Sequence, residues 1–350
     1  MKTCGSLGNS GMVIPPLVFG TMARRQSASR EREALIRNAV ERGLVALDTA
    51  PLYDFGDCEQ LIGRALVGLP RERYRLFTKV GLRWDAGARG RVLFSFDDAQ
   101  GRRVHVRRDS RPESIRAEVE SSLSRLRVDY LDLVQVHHPD LDTPFAESFG
   151  ELTRLRAEGK LLHIGASNFT VAQLQDAQAA LGDIALCSLQ PEYSLLRREA
   201  EQKLLPYCRS HNIGVLAYSP LAGGPLGGQV PQIADRAAML RLQHALRDVL
   251  HPIARAHGVS PAAVALAWVA AQPGVTAAIA GASNHRQIDA QLAMLELQLA
   301  PDELEHLTRG FATVGWPSSW SLQASRLRRA LKRVRQVIGR GLRAARLRGS

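Results

Sequence analysis

Four side chains of this 350-residue chain have the types and the placement to move a proton together: Asp48, Tyr53, Lys79 and His137. Asp48, Lys79 and His137 each close an apolar run, in LVALD, YRLFTK and LDLVQVH, and Tyr53 follows Asp48 within DTAPLYDFGDCE. Singly, each has an ordinary reading, because an aspartate at a strand end can cap a helix or face water and a tyrosine usually packs. Together they form a proton donor with its tuning set. A phenol with a reference pKa of about 10 is a poor acid at neutral pH. A nearby ammonium stabilises the phenolate and lowers that pKa, and a carboxylate paired to the lysine positions and balances it.

Such a set works only if the chain brings residues 48, 53, 79 and 137 to one rim. Short β-branched or apolar runs alternate with amphipathic helical stretches, the pattern of repeated βα units. The runs are LVFGT (17–21), LVALDTA (44–50), YRLFTKVG (74–81), YLDLVQVHH (130–138), LLHIGASN (161–168), ALCSLQPEY (185–193), IGVLAYSP (213–220) and TAAIAGAS (276–283). Between them, SREREALIRNAVERG is expected to start at a Ser29 cap and carry Ala34, Leu35, Asn38, Ala39 and Arg42 in register. RPESIRAEVESSLSRLRVD carries Ile115, Val119, Leu123 and Leu126 on one stripe behind Pro112, and Ser260 precedes Pro261 at the start of VSPAAVALAWVAAQPG. Eight strands each followed by a helix predict an α/β chain folded as a (β/α)8 TIM barrel, whose functional residues sit at the C-terminal strand ends. Asp48, Lys79, His137, Ser167, Asn168, Gln190, Tyr218 and Ser219 fall there.

The expected barrel spans residues 1–320 and carries an N-terminal hairpin and a hairpin insertion after strand 3 (83–111, around AQGRR). Residues 234–257 add an extra helix after strand 7, and QVPQIAD is a short loop before it, read as leaving the site open. A basic C-terminal helix occupies 321–350, where nine arginines and one lysine stand without an acid, so the remaining 320 residues carry +12 − 10 = +2. Leu327, Leu331, Val334, Ile338, Leu342 and Ala345 give that tail an apolar face, weakened by Gly339 and Gly341 at about 1 kcal/mol each. Three readings of it stay open: a solvated extension, contact with an anionic membrane surface or protein partner through residues 326–348, and contact with nucleic acid. The last is disfavoured, since no aromatic residue lies between Leu322 and Ser350. Cys4, Cys58, Cys187 and Cys208 are scattered, a spacing that suggests neither a disulfide framework nor a zinc site; no metal is expected, and a reducing cytoplasmic setting is.

The chain resembles the aldo-keto reductase superfamily over residues 13 to about 312. The resemblance rests on GTM (20–22), LDTAPLYDFGDCEQLIGRAL (47–66), FTKVGLRW (77–84), RLRVDYLDLVQVHHPD (125–140), EGKLLHIGASNFT (158–170), LQPEYSLL (189–196), LAYSPLAGG (216–224) and IAGASNHRQI (279–288), in family order. RPESI and QVHHPD look most like bacterial general stress aldo-keto reductases. The resemblance implies that Tyr53 is the general acid, that Lys79 depresses its pKa, that Asp48 pairs with Lys79 and that His137 orients the carbonyl.

It also implies a nicotinamide cofactor. Gly20 and Thr21 lie on its path, Ser167, Asn168 and Gln190 match the carboxamide contacts, and Tyr218 matches the stacking ring. Ser219, Leu221 and Gly223 match the pyrophosphate loop, and Gly281, Ala282, Ser283, Gln287 and Gln291 the adenosine end. That end lacks the usual cation for a 2′-phosphate, and Arg286 is the nearby guanidinium; NADPH is expected, with NADH open. Met22, Trp84 and His138 are candidate substrate-pocket walls, His138 standing where relatives often have tryptophan. The activity implied is reduction of an aldehyde or ketone, a sugar-like one included. An NAD-dependent sugar or alcohol dehydrogenase is the alternative within enzymes. The alternative outside them is a reductase-like binding subunit acting through the tail, akin to potassium-channel β subunits, against which the complete set of four counts.

Overall fold

The structure, a computed structural model, describes residues 4–22, 29–98, 101–229 and 235–317. The basic tail and most of the QVPQIAD loop lie outside these residues.

All eight apolar runs form parallel strands: β1 (Leu17–Gly20), β2 (Ala46–Asp48), β3 (Arg75–Val80), β4 (Leu131–Val136), β5 (Leu161–Ser167), β6 (Leu186–Gln190), β7 (Gly214–Ala217) and β8 (Ala277–Ala280). They close into one barrel in chain order, β8 pairing with β1 and β4 with both β3 and β5. The N-terminal hairpin, Gly5–Ser6 against Val13–Ile14, brings Leu7, Met12 and Ile14 onto the barrel interior with Val18, Phe77, Leu133 and Leu216.

Strand alternation then aims the chemistry. Side chains two apart share a face, so Ala46, Phe77, Leu133 and Leu216, which fill the interior, hand the same inward direction to Asp48, Lys79, Gln135 and Tyr218. Space for Gln135 comes from Gly165 on the neighbouring strand, where a Cβ would lie 2.2 Å from Ser188 Oγ and 3.1 Å from Gln135 Cγ.

Helices cover the outside. The helix Pro112–Leu126 starts on its proline and buries Ile115, Val119 and Leu126, and Ser260 Oγ caps the helix Pro261–Ala271 by accepting from Ala263 N. The first helix differs from expectation. It runs Ser29–Glu41, with Ser29 inside its first turn, and buries Leu35, Ile36, Ala39 and Val40. The predicted stripe through Asn38 and Arg42 was one step out of phase, because Ile36 and Val40 supply the larger apolar area and turn the helix toward themselves. The hairpin insertion forms a separate three-stranded antiparallel sheet, Leu82–Arg83, Arg103–Arg108 and Val92–Asp97 in spatial order. The extra helical segment after β7 spans Arg236–Ala256 through a π turn at Leu246–Leu250. Among the described residues no single helix is long and apolar enough to cross a membrane.

One buried carboxylate connects the layers around the site. Glu59, on the helix Asp57–Ala65 that follows Tyr53, is fully buried; it accepts from Thr78 Oγ1 at 2.7 Å and from Arg125 Nε at 2.7 Å. Thr78 precedes Lys79 on β3, so this contact fixes the Tyr53 segment against the lysine strand. Removing one partner of a buried pair strands the other, at a cost of about 3 kcal/mol or more. Arg125→Met should lower the urea-unfolding free energy by about 3 kcal/mol; a loss below about 1 kcal/mol would mean that Glu59 is satisfied without it.

Candidate active site

Asp48 is the hub of the barrel mouth. Its carboxylate accepts from Lys79 Nζ at 2.9 and 2.7 Å and, on Oδ1, from Gln190 Nε2 at 2.9 Å. Its carbonyl accepts from both Thr21 N and Thr21 Oγ1 at 3.0 Å. Lys79 adds a donation to the Thr49 carbonyl at 2.9 Å, and the pair is almost wholly buried, at 2% exposure for Asp48 and 1% for Lys79. Burial pulls the Lys79 ammonium down and Asp48 opposes that pull.

Tyr53 follows on a short turn after β2. The next two residues, Asp54 and Phe55, both have left-handed backbone, φ 49° and 55°, a conformation that costs non-glycine residues of order 1 kcal/mol or more each and persists only where its surroundings enforce it. Arg32 Nη1 holds Asp54 Oδ2 at 3.0 Å and so braces the turn. The phenol ring lies 5.1 Å from Lys79 Nζ and meets the His137 ring edge-on at 6.1 Å between centroids. The four candidates are therefore one cluster.

One expectation about Tyr53 changes. The phenol is half-buried and its pKa is not depressed: burial pushes it well above the ordinary 10, with the Asp48 charge and Cys58 adding. The physical reason is that a phenolate here would be dry and would face the Asp48 carboxylate, and together these outweigh the attraction of Lys79. His137 is buried and pushed well below the ordinary 6.5, first by burial and then by Lys79 and His138, which leaves a neutral imidazole at neutral pH.

His138 is half-buried. It stacks on His137 at 5.6 Å and shares a 3.2 Å hydrogen bond between its Nε2 and Asn168 Nδ2. Asn168, itself left-handed at φ 62°, also donates from Nδ2 to the His137 carbonyl at 3.0 Å, and its Oδ1 accepts from Tyr218 OH at 3.0 Å. Ser167 Oγ donates to the Gln190 carbonyl at 2.8 Å. The expected carboxamide contacts thus form a connected polar rim, with the Gln190 amide turned to Asp48.

Beyond Tyr218 the chain turns sharply. Ser219 and Ala222 have φ 52° and 53°, followed by Gly223 and Gly224 at 74° and 132°. Left-handed residues in succession gather backbone N–H groups into an anion-binding concavity, which fits a pyrophosphate beside Leu221. At the other end Gln291 Nε2 donates to the Gly281 carbonyl at 2.8 Å while its buried Oε1 lacks a partner among the described residues. Ser283 N donates to Gln287 Oε1, Ala282 is buried, and Arg286 is exposed on the helix His285–Glu296. With Gly20 and Gly281 side by side at the ends of β1 and β8, these residues fit a dinucleotide; a buried acceptor without a donor is what a nucleotide amine or hydroxyl would satisfy.

Of the pocket walls, Met22 stands at the rim with 52% of its surface exposed. Trp84 has company the sequence reading did not foresee. Its ring packs on Phe55 at 5.3 Å, and Phe55 stacks on Phe96 at 5.4 Å with Phe94 beyond. The alternation Phe94, Ser95, Phe96 on the hairpin was the available signal, since period two puts both rings on one face.

The pattern of the Aldo/keto reductase family matches residues 16–309. The chain belongs to the aldo/keto reductase family. It is 32% identical over 316 residues to the NADH-specific methylglyoxal reductase of Escherichia coli K12, covering 84% of this chain and 94% of that one. It is 31% identical over 318 residues to the probable aldo-keto reductase 1 of Glycine max, with 86% of each covered. Among solved structures, the glycerol dehydrogenase of Gluconobacter oxydans superposes with a TM-score of 0.77 at 30% identity, covering 90% of this aldo/keto reductase and 97% of the other chain.

Neutral burial of the paired imidazoles has a pH consequence. Burial first, then the Arg108 charge, pushes His138 from 6.5 to about 4. The unfolded chain takes up this proton near its ordinary pKa and the folded chain only near the lowered one, so stability is full above that window and is lost as pH falls through it. Urea unfolding should therefore show declining stability as pH drops from 6.5 toward about 4. His138→Gln should flatten part of that slope, the remainder belonging to His137, which shifts in the same direction. A slope untouched by His138→Gln would refute the assignment.

Proposed function

We propose that this aldo/keto reductase reduces an aldehyde or ketone to the alcohol at the expense of NAD(P)H, with Tyr53 as proton donor. The observation that carries the proposal is the single cluster of Asp48, Lys79, Tyr53 and His137 at the C-terminal barrel rim. When bound, the nicotinamide supplies a hydride. The chain's part is the proton.

The raised pKa keeps the Tyr53 hydroxyl protonated at rest. An oxygen developing alkoxide character is a far stronger base than phenolate, so the proton leaves Tyr53 Oη only as the carbonyl is reduced. Lys79 then offsets the phenolate charge through the ring it already faces, and Asp48 holds Lys79 in place. Neutral His137 donates an N–H to the carbonyl oxygen without bringing a competing charge. In this proposal Ser167, Asn168, Gln190, Tyr218 and the turn at 219–224 hold the cofactor, and Gly281 to Gln291 hold its adenosine end. The free thiols Cys58, Cys187 and Cys208, all buried, support a reducing, cytoplasmic setting as part of the same proposal. The barrel, residues 1–320, is proposed to suffice for the chemistry without the tail.

A second reading is favoured by the glycerol dehydrogenase neighbour and the NADH-specific relative: the same site run as an NAD-linked alcohol or sugar dehydrogenase. The assembled cluster speaks against a non-catalytic binding subunit.

Loss of a general acid costs about 10² to 10⁴ in rate. Tyr53→Phe should lower kcat by that range in steady-state carbonyl reduction and leave nucleotide affinity nearly unaltered; normal turnover would remove Tyr53 from its role. Titrating intrinsic fluorescence with NADPH and NADH should give tighter NADPH binding that Arg286→Ala weakens. Equal affinities, indifferent to Arg286→Ala, would move the enzyme to the NAD-linked reading.

A further inference from the structure

The hairpin insertion carries many guanidinium groups, and most of them are engaged or, like Arg89, exposed to water. Arg91, Arg102 and Arg103 pair with Asp142, Asp98 and Asp97, and Arg107 donates to the Gly90 carbonyl. Arg108 differs. It is half-buried, its Nε is fully shielded from water, and its guanidinium meets no hydrogen-bond or ion-pair partner among the described residues. A sheltered cation without an anion is costly, and folds keep such groups mainly where a ligand completes them.

Its position says which ligand. Along Arg103–Arg108 alternation puts Val104, Val106 and Arg108 on one face, and Val104 and Val106 pair with Phe96 and Phe94 across the hairpin. That face is the one turned inward, since Val106 is fully buried and Phe96 stacks on Phe55, two residues from Tyr53. Arg108 itself lies opposite Leu82, at the base of the hairpin where it joins β3. From there its charge acts on His138, whose ring stacks on His137. The guanidinium and the proton-handling cluster thus belong to one mouth, with the aromatic wall of Phe55, Trp84 and Phe96 alongside.

Resting on the carbonyl-reductase reading, we infer that Arg108 is an anion anchor and that the preferred substrates are aldehydes or ketones bearing a carboxylate. The planar fork of arginine takes a carboxylate through two parallel N–H donations, and the apolar surroundings strengthen that pair. The aromatic wall accepts the flat or apolar linker between the two groups.

The test compares 4-carboxybenzaldehyde with 4-carbamoylbenzaldehyde, which differ in charge and little in shape, on the full chain. The wild type should favour the carboxylate at least tenfold in kcat/KM, mostly through KM. Arg108→Gln should reduce the carboxylate's kcat/KM at least tenfold more than the amide's, and Arg108→Lys should retain an intermediate preference. A wild-type ratio near one, or a preference that survives Arg108→Gln, overturns the inference, as does an equal fall for both aldehydes. The wild-type ratio and Arg108→Lys decide the matter if Arg108→Gln does not fold. Dissociation constants of both aldehydes in Tyr53→Phe, read by tryptophan fluorescence, separate the two proposals. A charge preference kept there without turnover supports the anchor whatever becomes of the acid assignment, and equal binding refutes the anchor alone.

Discussion

A lysine buried to 1% exposure at the mouth of an apolar barrel is held there by one carboxylate. Removing either partner would leave the other charged and dry, a situation worth several kcal/mol. Much of the site follows from this pair. Asp48 needs a further donor and takes it from Gln190; Lys79 has one proton left and gives it to Thr49. The Thr49 carbonyl leads directly into the turn that presents Tyr53, so the same ammonium that balances the site also registers the phenol. Because the phenol is buried beside the Asp48 carboxylate, the tyrosine keeps its proton at rest. In the proposed reaction it releases that proton only to a strong base.

The eight strands and the four central residues were legible in the sequence for a common reason. A barrel buries both faces of each strand, so β2, β3 and β4 read as largely apolar runs, and the polar residue toward the end of each stands at the rim. Asp48, Lys79 and His137 were conspicuous by contrast. The phase of the first helix was harder, because its polar face includes Asn38 beside true core residues and spacing alone cannot rank them. The direction of the Tyr53 shift was also hidden. It depends first on how dry the phenol's surroundings are and then on how near the Asp48 charge stands, and no spacing encodes either. Phe55 escaped notice since its role comes from a left-handed turn placing it against Phe96, which lies far along the chain on the hairpin sheet.

Strain and electrostatics converge at the same few residues. Asp54, Phe55, Asn168, Ser219 and Ala222, all non-glycines with left-handed backbone, lie at C-terminal strand ends or just beyond them. Two of them are held by partners already named, Arg32 on Asp54 and Tyr218 on Asn168. The barrel's rigid ladder absorbs the cost, which is how a fold can hold a rim in shapes its residues would not choose alone.

The hairpin is hydrogen-bonded into a sheet of its own and contributes no rung to the barrel ladder. Its strands can change in length or residue type while the eight-stranded closure keeps its register. In the proposed reading, selectivity and reactivity are carried by separately hydrogen-bonded parts of one chain. A lineage that needed a new diet could rewrite the awning and leave the hearth untouched.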